Sequence, residues 1–95
     1  MINKFKLYWS IQSAPSRALK SLMENGKKHE FKYEDVSLDL TKNEQKSPKI
    51  LAINPKGTIP FLVFNGEVLT ESAAILRFLA STVDYLKRFY PTEPI

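Results

Sequence analysis

Residues 58–72 read TIPFLVFNGEVLTES, and they carry the clearest signals of secondary structure in the chain. Residues 61–64 form a short apolar run of strand-forming type, and the Asn-Gly pair at 65–66 favours a two-residue hairpin turn into a second short strand. Pro60 stands directly before the first strand, where a proline cannot donate a hydrogen bond to a sheet. Residues 70–72, Thr-Glu-Ser, then open an apolar pattern with helical spacing. The stretch therefore predicts a β-hairpin followed by a helix, with an unusual turn at its entrance.

The residues before this hairpin supply the remaining elements of the predicted fold. The patterns predict, in chain order, a strand at 5–9, a helix that begins near Pro15 and ends at Gly26, a strand at about 31–36, a polar loop at 39–48 and a short helix at about 48–53. The last helix runs from Ser72 into the mid-eighties, with Val83 on its apolar face. The order β-α-β-α-β-β-α, with parallel strands in its first βαβ unit, predicts an α/β sandwich around a mixed four-stranded sheet.

The composition excludes several classes of function. The 95 residues are 43% hydrophobic and 25% charged, which is typical of one globular domain. The absence of cysteine and the single histidine, His29, exclude disulfides, dithiol redox chemistry and thiolate or histidine-rich metal sites. The lysines are dispersed along the chain, so we expect no nucleic-acid partner, and we interpret His29 as a surface residue. No stretch resembles a signal peptide or reaches the length of a membrane span, so we expect a cytoplasmic protein without a membrane partner.

The proline at position 60 has two interpretations. A trans bond would make an ordinary turn at the entrance of the strand, and the residues alone favour this reading. A cis Ile59-Pro60 bond, which prolines adopt at a cost of about 0.5–1 kcal/mol, would turn the backbone N–H and C=O of Ile59 away from the sheet. These groups would then be available to an extended peptide, which binds such groups like an added strand.

Three segments of the chain, in this order, resemble one known family. LYWSIQSAPSRA (7–18), NEQKSPKILAINPKGTIPFLV (43–63) and LTESAAILRFLA (69–80) are similar to the N-terminal, thioredoxin-like domain of the soluble glutathione S-transferases, above all the serine-using theta, delta and phi-like classes. The resemblance implies a thioredoxin-like sandwich with a cis-Pro60, glutathione as co-substrate, no metal, and an unidentified electrophile. It also implies a glutathione-binding domain at 1–84. Residues 85–95 would hold the end of the last helix and the start of a linker to an absent C-terminal helical domain, and the full-length protein would be a homodimer that acts in detoxification.

The same resemblance assigns the catalytic role to Ser13, whose hydroxyl would donate a hydrogen bond to the sulfur of glutathione. A thiolate gains from a hydrogen-bond donor and from the dipole of a following helix, and both effects lower the pKa of the thiol. We expect Ser13→Ala to reduce thiol conjugation with little effect on folding. Ser10, Ser16 and Tyr8 are the alternatives for the residue that contacts the thiol.

Six further residues are assigned to glutathione binding. Ser72 lies at a predicted helix N-terminus, which attracts anions and suits the γ-glutamyl carboxylate, and Glu71 suits the neighbouring ammonium group. From the residues alone, Thr70 or Ser72 would only cap the helix and Glu71 would complement its dipole. By resemblance, the backbone of Ile59 and Pro60 faces the tripeptide, and Gln45 and Lys56 lie near its glycine carboxylate. The delta class has a histidine where this chain has glycine at position 57, so the pattern departs from the family at this end.

A second hypothesis is a non-catalytic interaction module, because transferase-like domains also serve as docking surfaces in larger assemblies. Docking alone requires neither a serine at position 13 nor a Glu-Ser pair before the last helix, so these residues favour the transferase. A glutaredoxin-like oxidoreductase is excluded because the chain has no cysteine.

Overall fold

The computed structural model describes residues 4–27 and 32–82. Its elements are β1 (Phe5–Trp9), α1 (Ala14–Gly26), β2 (Glu34–Ser37), α2 (Pro48–Ile53), β3 (Phe61–Phe64), β4 (Glu67–Thr70) and α3 (Ser72–Thr82). The strands form one sheet in the order β2-β1-β3-β4, in which β1 and β2 are parallel and the other two pairs are antiparallel. The mixed four-stranded sheet with its helices, predicted from the sequence, is therefore confirmed.

The structure differs from the prediction between β2 and α2. The sequence predicts a loop for the polar stretch at 39–48, but Leu40–Lys42 and Glu44–Lys46 each form a single 3-10 turn. Asp39 caps the first turn by accepting the N–H of Thr41 at 2.9 Å, and Asn43 joins the two turns in the left-handed conformation with φ of 59°. Asparagine tolerates this conformation better than most residues. Short polar residues therefore set the backbone conformation of this segment, and the two turns need no apolar face to form.

Some of the predicted features lie outside the described residues. They are the surface position of His29, residue 31 of the predicted second strand, the helical continuation at Val83 and the linker at 85–95. Residues 32 and 33 are described and precede β2, which begins at Glu34 and not near residue 31 as predicted.

The sheet carries one core on each face. The larger core packs the sheet against α1 and α3 and contains Phe5, Leu7, Leu19, Met23, Leu62, Ile75 and Leu79. The smaller core packs the sheet against α2 and contains Tyr8, Leu38, Ile50 and Phe61. Consecutive strand residues point to opposite faces, which is why Leu7 and Tyr8 belong to different cores.

A cluster of polar side chains attaches α1 to the β1–β2 edge of the sheet. The Lys20 ammonium group donates to Glu24 at 2.7 Å and to the Tyr33 hydroxyl at 2.8 Å, and lies 3.2 Å from the Asp35 carboxylate. Trp9 donates its indole N–H to Asp35 at 2.8 Å. The cluster therefore ties a helix to two strands through partly exposed charges.

This cluster makes stability depend on pH. Hydrogen bonds from Lys20, Tyr33 and Lys27 lower the pKa of Glu24 from 4.5 to about 2. Because this pKa is lowered in the folded state, the stabilising contribution is present above about pH 4.5 and is lost as the pH falls towards 2. We expect Glu24→Gln to be less stable than the parent near neutral pH, and the difference to disappear near pH 2, as measured by urea unfolding.

A second substitution provides the control for this prediction. In a Lys20→Met background the strongest donor to Glu24 is gone, so Glu24→Gln should change stability less at neutral pH. A difference between parent and Glu24→Gln that is equally large near pH 2 and pH 7 would contradict the role of the carboxylate.

Candidate functional site

Three parts of the chain that are distant in sequence meet at one small cavity. The cavity has a volume of about 140 Å³ and is lined by Pro15, Thr58, Ile59, Pro60, Glu71 and Ser72. The start of α1, the turn before β3 and the start of α3 each contribute to it. Of the predicted site residues, Ile59, Pro60, Glu71 and Ser72 are brought together here, whereas Ser13, Gln45 and Lys56 are not among the lining residues.

Ser13 is the N-cap of α1, directly before the helix that brings Pro15 to the cavity. Its backbone is extended, and its Oγ accepts the N–H of Ser16 at 3.3 Å. No acceptor for its hydroxyl proton appears within residues 4–27 and 32–82. The capping bond adds a structural role to Ser13, so we expect Ser13→Ala to cost about 1 kcal/mol of stability in addition to any effect on the chemistry.

The turn before β3 is organised by Asn54, which is only 1% exposed. Its Nδ2 donates to the carbonyl of Thr58 at 3.0 Å, and its Oδ1 accepts the N–H of Lys56 at 3.3 Å. Gly57 has φ of +61°, a conformation in which glycine is strongly favoured, and the Ile59-Pro60 peptide bond is cis. The Asn-Pro pair in the sequence indicates a turn, but the pattern gives no sign that the asparagine is buried inside it.

The start of α3 has an uncommon backbone conformation. Glu71 has φ of 68°, and its carbonyl accepts the N–H of Ile75 at 3.0 Å, which makes Glu71 the residue that precedes the helix. Ser72 is the first helical residue, so Glu71 occupies the cap position that the residues alone assign to Thr70 or Ser72. A left-handed conformation at a residue other than glycine costs of order 1–3 kcal/mol and is most frequent at functional sites.

Gln45 and Lys56, the residues predicted for the glycine end, make separate hydrogen bonds and are not among the lining residues of the cavity. Lys56 donates from Nζ to the Thr70 hydroxyl at 3.3 Å. Gln45 donates from Nε2 to Asn43 at 3.2 Å, and its Oε1 is buried without a hydrogen-bond partner among the described residues. Lys46, which no sequence motif singles out, donates from Nζ to the Lys56 carbonyl at 3.2 Å. Because Lys46 is a cation next to Gln45 in the sequence, it could have been considered as a further candidate for the glycine end.

The alternatives to Ser13 are placed less favourably. The ring of Tyr8 stacks on Phe61 with centroids 4.3 Å apart, and Tyr8 lines a different cavity on the α2 side of the sheet. Ser10 is fully buried and exchanges two hydrogen bonds with Gln12, at 2.8 and 3.1 Å. Ser16 is fully buried as well. Ser13 is the half-exposed hydroxyl of this group.

The sequence and the fold of this chain are shared with known proteins. Residues 4–81 match the family described as "Glutathione S-transferase, N-terminal domain". The chain belongs to this family. It is 37% identical over 75 residues to glutathione S-transferase F9 of Arabidopsis thaliana, a match that covers 79% of this chain and 33% of the relative.

Solved glutathione transferases share the thioredoxin-like fold of this chain. A glutathione transferase homologue from Sulfitobacter, with bound glutathione, superimposes with a TM-score of 0.79 at 32% identity, covering 96% of this chain and 42% of that one. Human glutathione transferase theta-2, in complex with glutathione, gives a TM-score of 0.78 at 34% identity, covering 94% and 35%. The chain thus spans about a third of the length of the curated relative.

Two further findings bear on the predicted partners of this glutathione transferase domain. Residues 4–27 and 32–82 contain no group of three or more His, Cys, Asp or Glu side chains that could hold a metal ion. None of the helices in this part of the chain combines the length and apolar character that crossing a membrane requires.

Proposed function

We propose that this chain binds glutathione and stabilises its thiolate for attack on an electrophile, as the N-terminal part of a glutathione transferase. The observation that supports this most strongly is the convergence of Ile59, Pro60, Glu71 and Ser72 with the start of α1 at one cavity. Relatives from the same family have been solved with glutathione bound.

Ser13 is proposed to donate its hydroxyl proton to the sulfur. The N–H of Ser16 already occupies an acceptor position of the Ser13 Oγ, which fixes the side chain and leaves its proton for a ligand. The N-terminus of α1 adds a positive field at the same place. Both effects favour the thiolate over the thiol, which lowers the thiol pKa and raises the fraction of nucleophile near neutral pH. The thiolate sulfur then forms a bond to an electrophilic carbon, and the displaced electron pair leaves with the leaving group or takes up a proton.

The remaining residues are proposed to hold the tripeptide. At the γ-glutamyl end, the carboxylate of Glu71 pairs with the ammonium group, while the hydroxyl and free backbone N–H of Ser72 bind the carboxylate. Ile59 offers its backbone to the peptide, next to Pro60. At the glycine end, we assign the carboxylate to Gln45 and Lys56 and add Lys46, because its ammonium group lies at the Lys56 carbonyl.

We further propose the wider setting that the family suggests. Residues 1–84 form the glutathione-binding domain, and 85–95 lead towards a helical domain that would shape the electrophile site. The longer protein would act in detoxification in the cytoplasm, as a homodimer.

A glutathione titration followed by amide NMR shifts tests the proposal. We expect saturable shifts at the starts of α1 and α3 and at the turn before β3, with little change in α2. Ser72→Ala should weaken binding at least about tenfold, because it removes one hydrogen bond to a charged group, and such bonds contribute about 1.5–3 kcal/mol.

A thiol-free glutathione analogue, with a methyl group in place of the thiol, serves as the control ligand. It should shift the same amides at α3 but leave the amide next to Ser13 almost unchanged. No shifts at millimolar glutathione would overturn the proposal and favour the non-catalytic interaction module.

A further inference from the structure

The chain contains two Asn-Gly pairs, and the fold places them in different surroundings. Asn25 and Gly26 are the last two residues of α1, and Gly26 is buried. Asn65 and Gly66 form the two-residue turn between β3 and β4, which we call the hairpin tip, and both are exposed. The same dipeptide therefore occurs once within a helix and once in an open turn.

An Asn-Gly pair can lose ammonia without any enzyme. The backbone nitrogen of the glycine attacks the side-chain amide carbon of the asparagine, and no Cβ on the glycine crowds this approach. The nitrogen reacts more readily when its N–H is not held in a hydrogen bond. Within a helix the N–H donates to the carbonyl four residues earlier, so the end of α1 must open before Gly26 can react.

The hairpin tip meets the conditions for this attack. No hydrogen bond from the Gly66 N–H occurs among residues 4–27 and 32–82. Gly66 has φ of +91°, and a methyl group on its Cα would meet no atom within 4 Å, so the space around it is open to water. The Asn65 Oδ1 accepts the backbone N–H of Lys4 at 2.8 Å. A donor at this oxygen stabilises the negative charge that develops on it when the amide carbon is attacked.

We propose that Asn65 is a site of spontaneous deamidation, and that its isoaspartate product detaches the hairpin tip from the start of β1. The Gly66 nitrogen forms a bond to the Asn65 Cγ and gives up its proton, while the bond from Cγ to Nδ2 breaks and Nδ2 leaves with a proton as ammonia. Water then opens the cyclic imide. Attack at Cγ restores the normal backbone with aspartate, whereas attack at the backbone carbonyl carbon gives isoaspartate. Water is the only co-reactant.

The two products differ in their contact with β1. Aspartate keeps an oxygen where Asn65 accepts the Lys4 N–H. In isoaspartate the main chain runs through Cβ and Cγ, so this carbonyl becomes part of the backbone and the turn is longer by one atom. A two-residue turn fixes the register in which Phe64 pairs with Glu67, and the Phe64 ring lies 4.8 Å from that of Phe5 between centroids. Isoaspartate therefore disturbs both the Lys4 contact and the edge of the larger core.

Peptide mapping of the purified chain, aged in mildly alkaline buffer, tests the proposal. Trypsin releases Asn25 in the peptide 21–27 and Asn65 in the peptide 57–77, and each peptide has one asparagine and no glutamine. In the folded chain, 57–77 should gain the mass of deamidation at least about fivefold faster than 21–27, because α1 must first open locally. In concentrated urea the two rates should become similar, which provides the matched control for the effect of sequence.

Two further measurements address the mechanism and its consequence. The product in 57–77 should include isoaspartate, identified with a synthetic standard, because direct hydrolysis of the amide gives aspartate alone. Asn65→Asp should unfold in urea near the midpoint of the parent, whereas the aged fraction in which isoaspartate predominates at position 65 should unfold at a lower urea concentration.

Four results would overturn the proposal. They are equal deamidation rates of Asn25 and Asn65 in the folded chain, a difference of the same size in urea, the absence of isoaspartate at position 65, and an isoaspartate form as stable as the parent. None of these measurements depends on glutathione, so their outcome is independent of the proposed function.

Discussion

Ser13→Gly should lower the rate of glutathione conjugation at least about tenfold while leaving the chain nearly as stable as the parent. The hydroxyl proton of Ser13 is the group proposed to stabilise the thiolate, and glycine removes it. Glycine is also an acceptable N-cap that costs only a few tenths of a kcal/mol relative to serine. The substitution therefore separates the proposed chemistry from the capping of α1 that the Ser16 N–H bond reveals.

Two further substitutions at the same position complete this test. Ser13→Thr keeps both the hydroxyl and the cap, so most of the rate should remain. Ser13→Ala loses both, so it should combine the low rate with a loss of stability of about 1 kcal/mol. The readouts are the initial rate with an activated aryl halide, the thiol pKa of bound glutathione from thiolate absorbance, and urea unfolding. A thiol pKa that is the same in the parent and in Ser13→Gly would remove Ser13 from the proposed role.

The fold could be predicted because its determinants are local in the sequence. The hairpin residues 61–70, the Asn-Gly turn and the apolar spacing of the last helix each specify their own element. The order of these elements then restricts the topology to a few arrangements. The two 3-10 turns between β2 and α2 could not be predicted in this way, since they arise from polar caps and a left-handed asparagine, which have no apolar period.

The candidate site could be predicted only in part. Residues 58–60 and 71–72 line one cavity. Three features of this region depend on contacts that no local pattern encodes. These features are the burial of Asn54, the left-handed backbone of Glu71 and the hydrogen bond from the Lys46 ammonium group to the Lys56 carbonyl. The sequence therefore indicated four of the residues that line this cavity, whereas its detail depends on tertiary contacts.

Asn54→Ala should weaken glutathione binding at least about tenfold and lower the free energy of unfolding by about 2 kcal/mol. The Asn54 side chain makes two hydrogen bonds inside the turn, to the Thr58 carbonyl and from the Lys56 N–H, in addition to the backbone bond from the Gly57 N–H to the Asn54 carbonyl. Each is worth about 0.5–1.5 kcal/mol, so their loss lets the turn leave the conformation that presents Ile59 and Pro60. For a ligand that needs the closed turn, the apparent affinity is the intrinsic affinity multiplied by the fraction of molecules in which the turn is closed.

Asn54→Asp and Met23→Ala distinguish this positioning role from a general loss of stability. Asn54→Asp has the same size and keeps the acceptor for Lys56, but it replaces the donor to the Thr58 carbonyl with a second oxygen. It should therefore weaken glutathione binding by a similar factor.

Met23 is fully buried in α1, away from the turn, and Met23→Ala should cost about 2–5 kcal/mol in stability. Measured at a temperature where each variant is folded, glutathione should bind Met23→Ala as it binds the parent. Equal affinities for Asn54→Ala and Met23→Ala would show that Asn54 supports the fold without positioning the ligand, because a variant that only destabilises the domain does not change the site in molecules that remain folded.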